Sequence, residues 1–291
     1  LFAVLALVSF FTGAALPLAE VVTFSHLRDD PGRYGPVRVW GSIGFIVAVL
    51  GVGAALDLHP IGTLPWFVLA CLAAALACSG LIRDAAGEAR HGAGRPVWPL
   101  LARTEVAVLF AACFLMCAAH GPLYTFYSIY LADHGYSKSS IGALWSAGVV
   151  AEIVVFMMMP ALFRRFSPYA VLVASFGCAA ARFVMIGWGV ESIVVLLLAQ
   201  LLHAATFGAY HAAAIGIVND TFRDGQRARG QALYTSLSFG AGGMLGATAS
   251  GLAWEALGPA WTFTLGSACA FLGLILLLWR GRTSPAESTT A

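Results

Sequence analysis

The chain has 291 residues, 60% of them hydrophobic and only 10% charged, with a formal net charge of +2 and a mean hydropathy of +0.84. A soluble domain carries about 25% charged residues. A water-soluble enzyme or binding module is therefore excluded, and a polytopic all-α membrane protein is the class that fits.

Crossing a bilayer takes about 20 apolar residues at 1.5 Å each. Nine stretches qualify: 1–26, 35–57, 63–82, 105–131, 139–163, 168–189, 192–218, 230–254 and 260–279. The connections between them alternate in charge. Arg28, Arg33 and Arg38 follow the first span; Arg83, Arg90, Arg95 and Arg103 the third; Arg164 and Arg165 the fifth; Arg223, Arg227 and Arg229 the seventh; Arg280 and Arg282 the ninth. The opposite side has only Lys138, and Arg182 lies inside a span. The positive-inside rule makes the arginine-rich side cytoplasmic and puts the C-terminus inside. Residues 84–104 read as a cytoplasmic loop dividing 1–83 from 105–282, and 283–291 as a disordered tail. Leu1 already lies in an apolar run with no visible signal peptide, so the start is expected upstream.

Span one carries Glu20 near its cytoplasmic end, close to His26 and Arg28. Proton coupling, a gating salt bridge and an interfacial acid that reaches water are all open there. Arg38 is either its partner or an orientation charge. Span four presents Cys113, Cys117, His120, Tyr124 and Tyr127 at three- and four-residue steps, on one face. That face is a cavity wall able to grip a flat or aromatic substrate, or an interhelix seam with satisfied hydroxyls. The six cysteines all sit in apolar runs and read as packing residues.

Span five has one ionisable side chain between Ser140 and Phe163, Glu152, on a face shared with Trp145, Gly148, Phe156 and Met159. A carboxylate at that depth costs several kcal/mol unless it is protonated, paired or facing water. Glu152 lies about 17 Å from the cytoplasmic end of its helix and Arg182 about 21 Å along the next, so an ion pair between them is expected. It is either a static packing pair or a protonatable carboxylate tied to substrate or gate. Span seven holds His203 and His211, with Thr206, Phe207 and Tyr210 between. Their eight-residue gap is not the spacing of a helical zinc pair. His203 is a hydrogen-bond donor to substrate or a packing histidine; His211 reads as packing. Tyr234 and Ser238 share a face of span eight and add polar contacts, and Gly242-x-x-x-Gly246 reads as close packing.

Shifting the chain by 194 places Phe11–Ala15 against Ala205–Ala209 and Trp40–Phe45 against Tyr234–Phe239. Spans 1–3 thus repeat in spans 7–9, which suggests twelve spans in two halves with the first three absent here. Paired six-helix halves built from inverted triplets are the plan of major facilitator transporters, whose substrates bind near the midplane. The runs GYSKSSIGALWSAGVVAE (135–152), LFRR (162–165), YGPVRVWGSIGF (34–45) and LHAATFGAYH (202–211) resemble the phenylpropionate permease branch of that superfamily. The resemblance implies an all-α major facilitator fold with nine of twelve helices present. It also implies proton coupling through Glu152, Arg182 and Glu20, and gating through Arg38, Arg164 and Arg165. From the faces described above, and not from the resemblance, substrate would be bound by His120, Tyr124, Tyr127, Trp145, His203, Phe207, Tyr210, Tyr234 and Ser238.

No phosphate-binding loop, nucleophile elbow, His-Glu-x-x-His or Cys-x-x-Cys occurs. No ATP-driven pump, metal, cofactor, nucleic-acid partner or enzymatic activity is expected. The expectation is a monomeric proton-coupled transporter of a small organic acid, working by alternating access in the bacterial cytoplasmic membrane. A nucleoside or sugar symporter, a drug exporter, and a truncated membrane protein that transports nothing stay open.

Overall fold

The computed structural model describes residues 34–82, 98–222 and 226–283, with isolated positions 11, 19, 22 and 23 before them. The described residues form eight helical rods and no strand. They are α1 (Tyr34–Leu58), α2 (Leu64–Leu81), α3 (Thr104–Asp133), α4 (Lys138–Arg165), α5 (Pro168–Trp188) and α6 (Ile193–Thr221). The rod α7 is built from Arg227–Tyr234, Thr235–Gly242 and Gly243–Leu257, and α8 is Pro259–Thr283. These rods fall on the second to ninth expected spans. The first span lies outside the described residues, as do most of the loop 84–104 and the tail. Seven of the described rods are long and apolar enough to cross a membrane. The rod α7 is not among them, because glycines and hydroxyl side chains dilute its hydropathy.

Serines start three of the rods. Ser137, Ser167 and Ser192 accept hydrogen bonds from the amides of Ser140 at 3.1 Å, Ala170 at 3.1 Å and Val195 at 3.5 Å, each satisfying a donor that the helix itself leaves open. Pro168 follows its cap at the first helical position, where no amide proton is needed. Gly135 and Gly258, at φ of 82° and 85°, turn the chain after α3 and after α7.

The rods α3 to α8 pack as one unit around fully buried Leu109, Met116, Phe176, Arg182, Phe183 and Phe263. Lipid supplies no hydrophobic drive between helices, so close backbone approach has to hold them. Gly121 of α3 and Gly246 of α7 meet backbone to backbone, and a Cβ on Gly242 would stand 2.6 Å from the Phe114 carbonyl oxygen. The expected small-residue stripe of α7 is thus its contact with α3. A Cβ on Gly187 would likewise stand 2.8 Å from the Ala260 carbonyl oxygen where α5 meets α8. The rod α1 lies along α4, whereas α2 has no buried residue.

Candidate functional site

Glu152 is buried at mid-length of α4 and faces α6. One glycine makes room for it and a second for its neighbours on α6. A Cβ on Gly208 of α6 would stand 3.1 Å from Glu152 Cγ, and one on Gly148 of α4 would stand 3.0 Å from Gln200 Oε1 and 3.4 Å from His203 Cδ2. Glu152 Oε2 lies 3.7 Å from His203 Nε2. Directly after His203 the helix widens into a π-helical stretch, Ala204–Ala209, a departure that tends to occur at functional positions. This turn stacks His203 on Phe207, with centroids 5.4 Å apart, and Phe207 on His211, at 6.4 Å.

Arg182 of α5 is fully buried. Its guanidinium donates to the Ala199 carbonyl at 2.9 Å, Thr206 Oγ1 at 3.1 Å and Gln200 Oε1 at 3.2 Å. Three neutral oxygens on α6 therefore hold the cation. The ion pair read from the sequence between Glu152 and Arg182 stays an expectation; the contacts described are those of Arg182 with three oxygens of α6 and of Glu152 with His203 of the same helix. Gln200, which carries no charge to mark it in an apolar run, is the residue the sequence reading missed. It touches Arg182 and rests on Gly148 beside His203.

An aromatic wall adjoins this cluster. His120 sits where α3 breaks its regular winding, its Nδ1 2.8 Å from the Met116 carbonyl. It stacks on Tyr124 at 5.8 Å and meets Phe183 edge-on at 5.1 Å. Tyr124 and Trp145 lie 11° from parallel at 6.3 Å, and Tyr127 meets Trp145 edge-on at 5.4 Å. Trp145 Nε1 donates to Ser128 at 3.1 Å. Tyr124 is 57% exposed, so the stacked pair has an open edge. Buried polar atoms without a hydrogen-bond partner collect here: His120 Nε2, Tyr127 Oη, Ser146 Oγ, Gln200 Nε2 and His203 Nδ1. Each costs roughly 1–3 kcal/mol left so.

The remaining expected positions lie apart from this cluster. Cys113, Cys117 and Tyr210 form a buried seam, with the Tyr210 hydroxyl 3.4 Å from the Cys113 carbonyl and 4.0 Å from Cys117 Sγ. Tyr234 is buried against His211 and Phe239, and Ser238 is buried on the π-helical stretch of α7. Arg164 and Arg165 are exposed in the last turn of α4, where positive charge suits the helix dipole. Glu20 and the side chain of Arg38 lie outside the described residues.

The model of the MFS_1 like family matches residues 1–265. The chain is 31% identical over 240 residues to the "Probable 3-phenylpropionic acid transporter" of Escherichia coli (strain K12), covering 79% of this chain and 61% of that protein. It is 28% identical over 180 residues to the "Maltose permease" of Geobacillus stearothermophilus, covering 60% of this chain and 45% of that one. Among solved structures, the nucleoside transporter NupG superposes with a TM-score of 0.77 at 17% identity, over 92% of this chain and 73% of that one. The chain thus spans about half to three fifths of the length of these two curated relatives.

Proposed function

The chain belongs to the MFS_1 like family of the major facilitator superfamily and is an integral multi-pass membrane protein, and from that premise we propose that it transports a small organic acid together with protons by alternating access. The observation that carries this reading is the buried cluster in which Glu152 faces His203 and Arg182 is held by neutral oxygens. Burying a carboxylate and a guanidinium in one apolar bundle is costly, and a transport cycle gives both a use. A proton on Glu152 loosens His203, which shares the Gly148 surface with Gln200. Gln200 then yields its place on Arg182 to the substrate carboxylate, a stronger acceptor for a guanidinium. The open-edged Tyr124–Trp145 pair and Phe207 take the flat body of the substrate. Rocking of the two halves exposes the loaded site to the other side. In this reading residues 105–282 form one complete six-helix half, and Glu20, Arg38, Arg164 and Arg165 take part in coupling and gating. The protein acts as a monomer in the bacterial cytoplasmic membrane, with the arginine-rich side facing inward.

Uptake of labelled phenylpropionate by cells, with and without a proton uncoupler, tests this. Uncoupler-sensitive uptake is expected. No uptake by cells in which the protein reaches the membrane withdraws the substrate. A second reading, a nucleoside or sugar symporter, is favoured by the three neutral acceptors on Arg182, an arrangement that needs no anionic substrate. Competition by nucleosides or disaccharides but not by carboxylates would select it.

A further inference from the structure

The end of α1 is fastened to the beginning of α4. A Cβ on Gly142 would stand 2.6 Å from the Val49 carbonyl oxygen, and one on Gly53 2.8 Å from the Lys138 carbonyl oxygen, so the two helices are at backbone contact. Beyond that contact, Asp57 Oδ1 accepts from the Lys138 amide at 2.7 Å. Its Oδ2 accepts from the Ser139 amide at 3.0 Å and from the Ser139 hydroxyl. Lys138 and Ser139 open α4, and the first amides of a helix have no acceptor within it. The hydroxyl of Ser137 caps only the Ser140 amide. A carboxylate from another helix thus completes the cap of α4, at the end where the helix dipole favours negative charge. Toward the other end of α1 the facing residues, Ser42 and Ile46, are only partly covered, whereas Gly53 is buried. The fastening is therefore concentrated at one end.

We propose that Asp57 is an interhelical latch: it holds the end of α1 on the first turn of the helix that carries Glu152, and its release lets α1 and α4 part there. This rests on the transport reading for its purpose. The arginine distribution puts this end on the outer side, so the latch keeps the outer mouth of the pathway shut. Asp57 touches neither Glu152 nor Arg182 and acts as a positioning residue. Its carboxylate is exposed, so water can replace the amides it binds, which suits a contact that breaks in every cycle.

The test uses the full chain in lipid nanodiscs, with its six cysteines replaced by alanine and spin labels attached at His59→Cys and Asp133→Cys. Pulsed electron resonance reads the distance between the labels. Asp57→Ala is expected to shift the ratio of separated to latched molecules about five-fold, the usual effect of deleting a helix cap. Asp57→Asn keeps one accepting oxygen of the two but sets an amide donor against the other helix amide, so it is expected to hold a population between those of the native protein and Asp57→Ala. Gly142→Leu, which leaves Asp57 in place but denies the close approach, is expected to separate the helices as well. It keeps the proposal open to refutation if Asp57→Ala does not assemble. Distance distributions unchanged in Asp57→Ala overturn the latch, and so does an asparagine variant more separated than the alanine one. The measurement needs no substrate. A shifted distribution with no uptake of phenylpropionate withdraws that substrate and leaves the latch standing.

Discussion

The carboxylate of Glu152 faces the imidazole of His203 from a neighbouring helix, 3.7 Å away. The proton switch, if it runs through Glu152, is therefore read first by α6 and only then by Arg182. Glu152→Gln keeps the shape and the packing against Gly208 but fixes the neutral form. The variant is expected to reach the membrane normally and to lose the rise in uptake that proton symport gives as external pH falls. Uptake measured across pH 5 to 8 in both proteins checks this, and an unchanged profile removes Glu152 from coupling.

Gly148 leaves no room for a side chain between α4 and α6. Gly148→Ala puts a methyl group 3.0 Å from Gln200 Oε1, a contact the flexible amide relieves by shifting a few tenths of an ångström in its place beside Arg182. The expected result is a several-fold higher KM for uptake with expression little changed. Gly148→Leu forces the helices apart, and overpacking of this kind costs about 1–3 kcal/mol or more. A lower melting temperature in detergent reads it.

Arg182 spans three acceptors with a planar fork, which a lysine ammonium does not reproduce. Arg182→Lys is expected to insert and fold but to transport at less than about a tenth of the normal rate. Its stability should fall by roughly 1–3 kcal/mol from the acceptors left open. Uptake rate and detergent melting, measured together, separate the two effects.

Tyr127 is fully buried, and its hydroxyl lies toward Gln200 without closing a hydrogen bond of good geometry. Tyr127→Phe removes that group without opening a cavity, so stability is expected to stay within about 1 kcal/mol or to rise. If the hydroxyl meets a polar group of the substrate, KM rises while the melting temperature does not fall. Equal KM in the two proteins assigns Tyr127 to packing with Trp145.

Much of the fold was legible because charge and length speak directly in a membrane protein. Arginines on alternate connections located the spans, and α5, expected at 168–189, runs Pro168–Trp188. The stripe from Gly242 to Gly246 was readable as a packing face for the same reason: small residues at helical spacing have few other uses. The site was legible only in outline. Glu152, Arg182 and His203 stood out as ionisable residues in apolar runs, but depth along a helix says nothing about which neighbours a side chain reaches. Gln200 and Ser146 carry no charge and left no mark. The π-helical stretches Ala204–Ala209 and Thr235–Gly242 had no compositional signature either, because they arise from how the rods pack.

The contact of Gly121 with Gly246 has a genetic consequence. In an ordinary core, an enlarged residue can be rescued by shrinking the residue it strikes. Here a Cβ on Gly121 would strike the backbone of Gly246 and one on Gly246 the backbone of Ala118, atoms that no substitution removes. A selection for suppressors of Gly246→Val should therefore return reversions at position 246 and none on the facing segment of α3, whereas damage at Gly148, which abuts a movable amide, should be repairable through changes at Gln200.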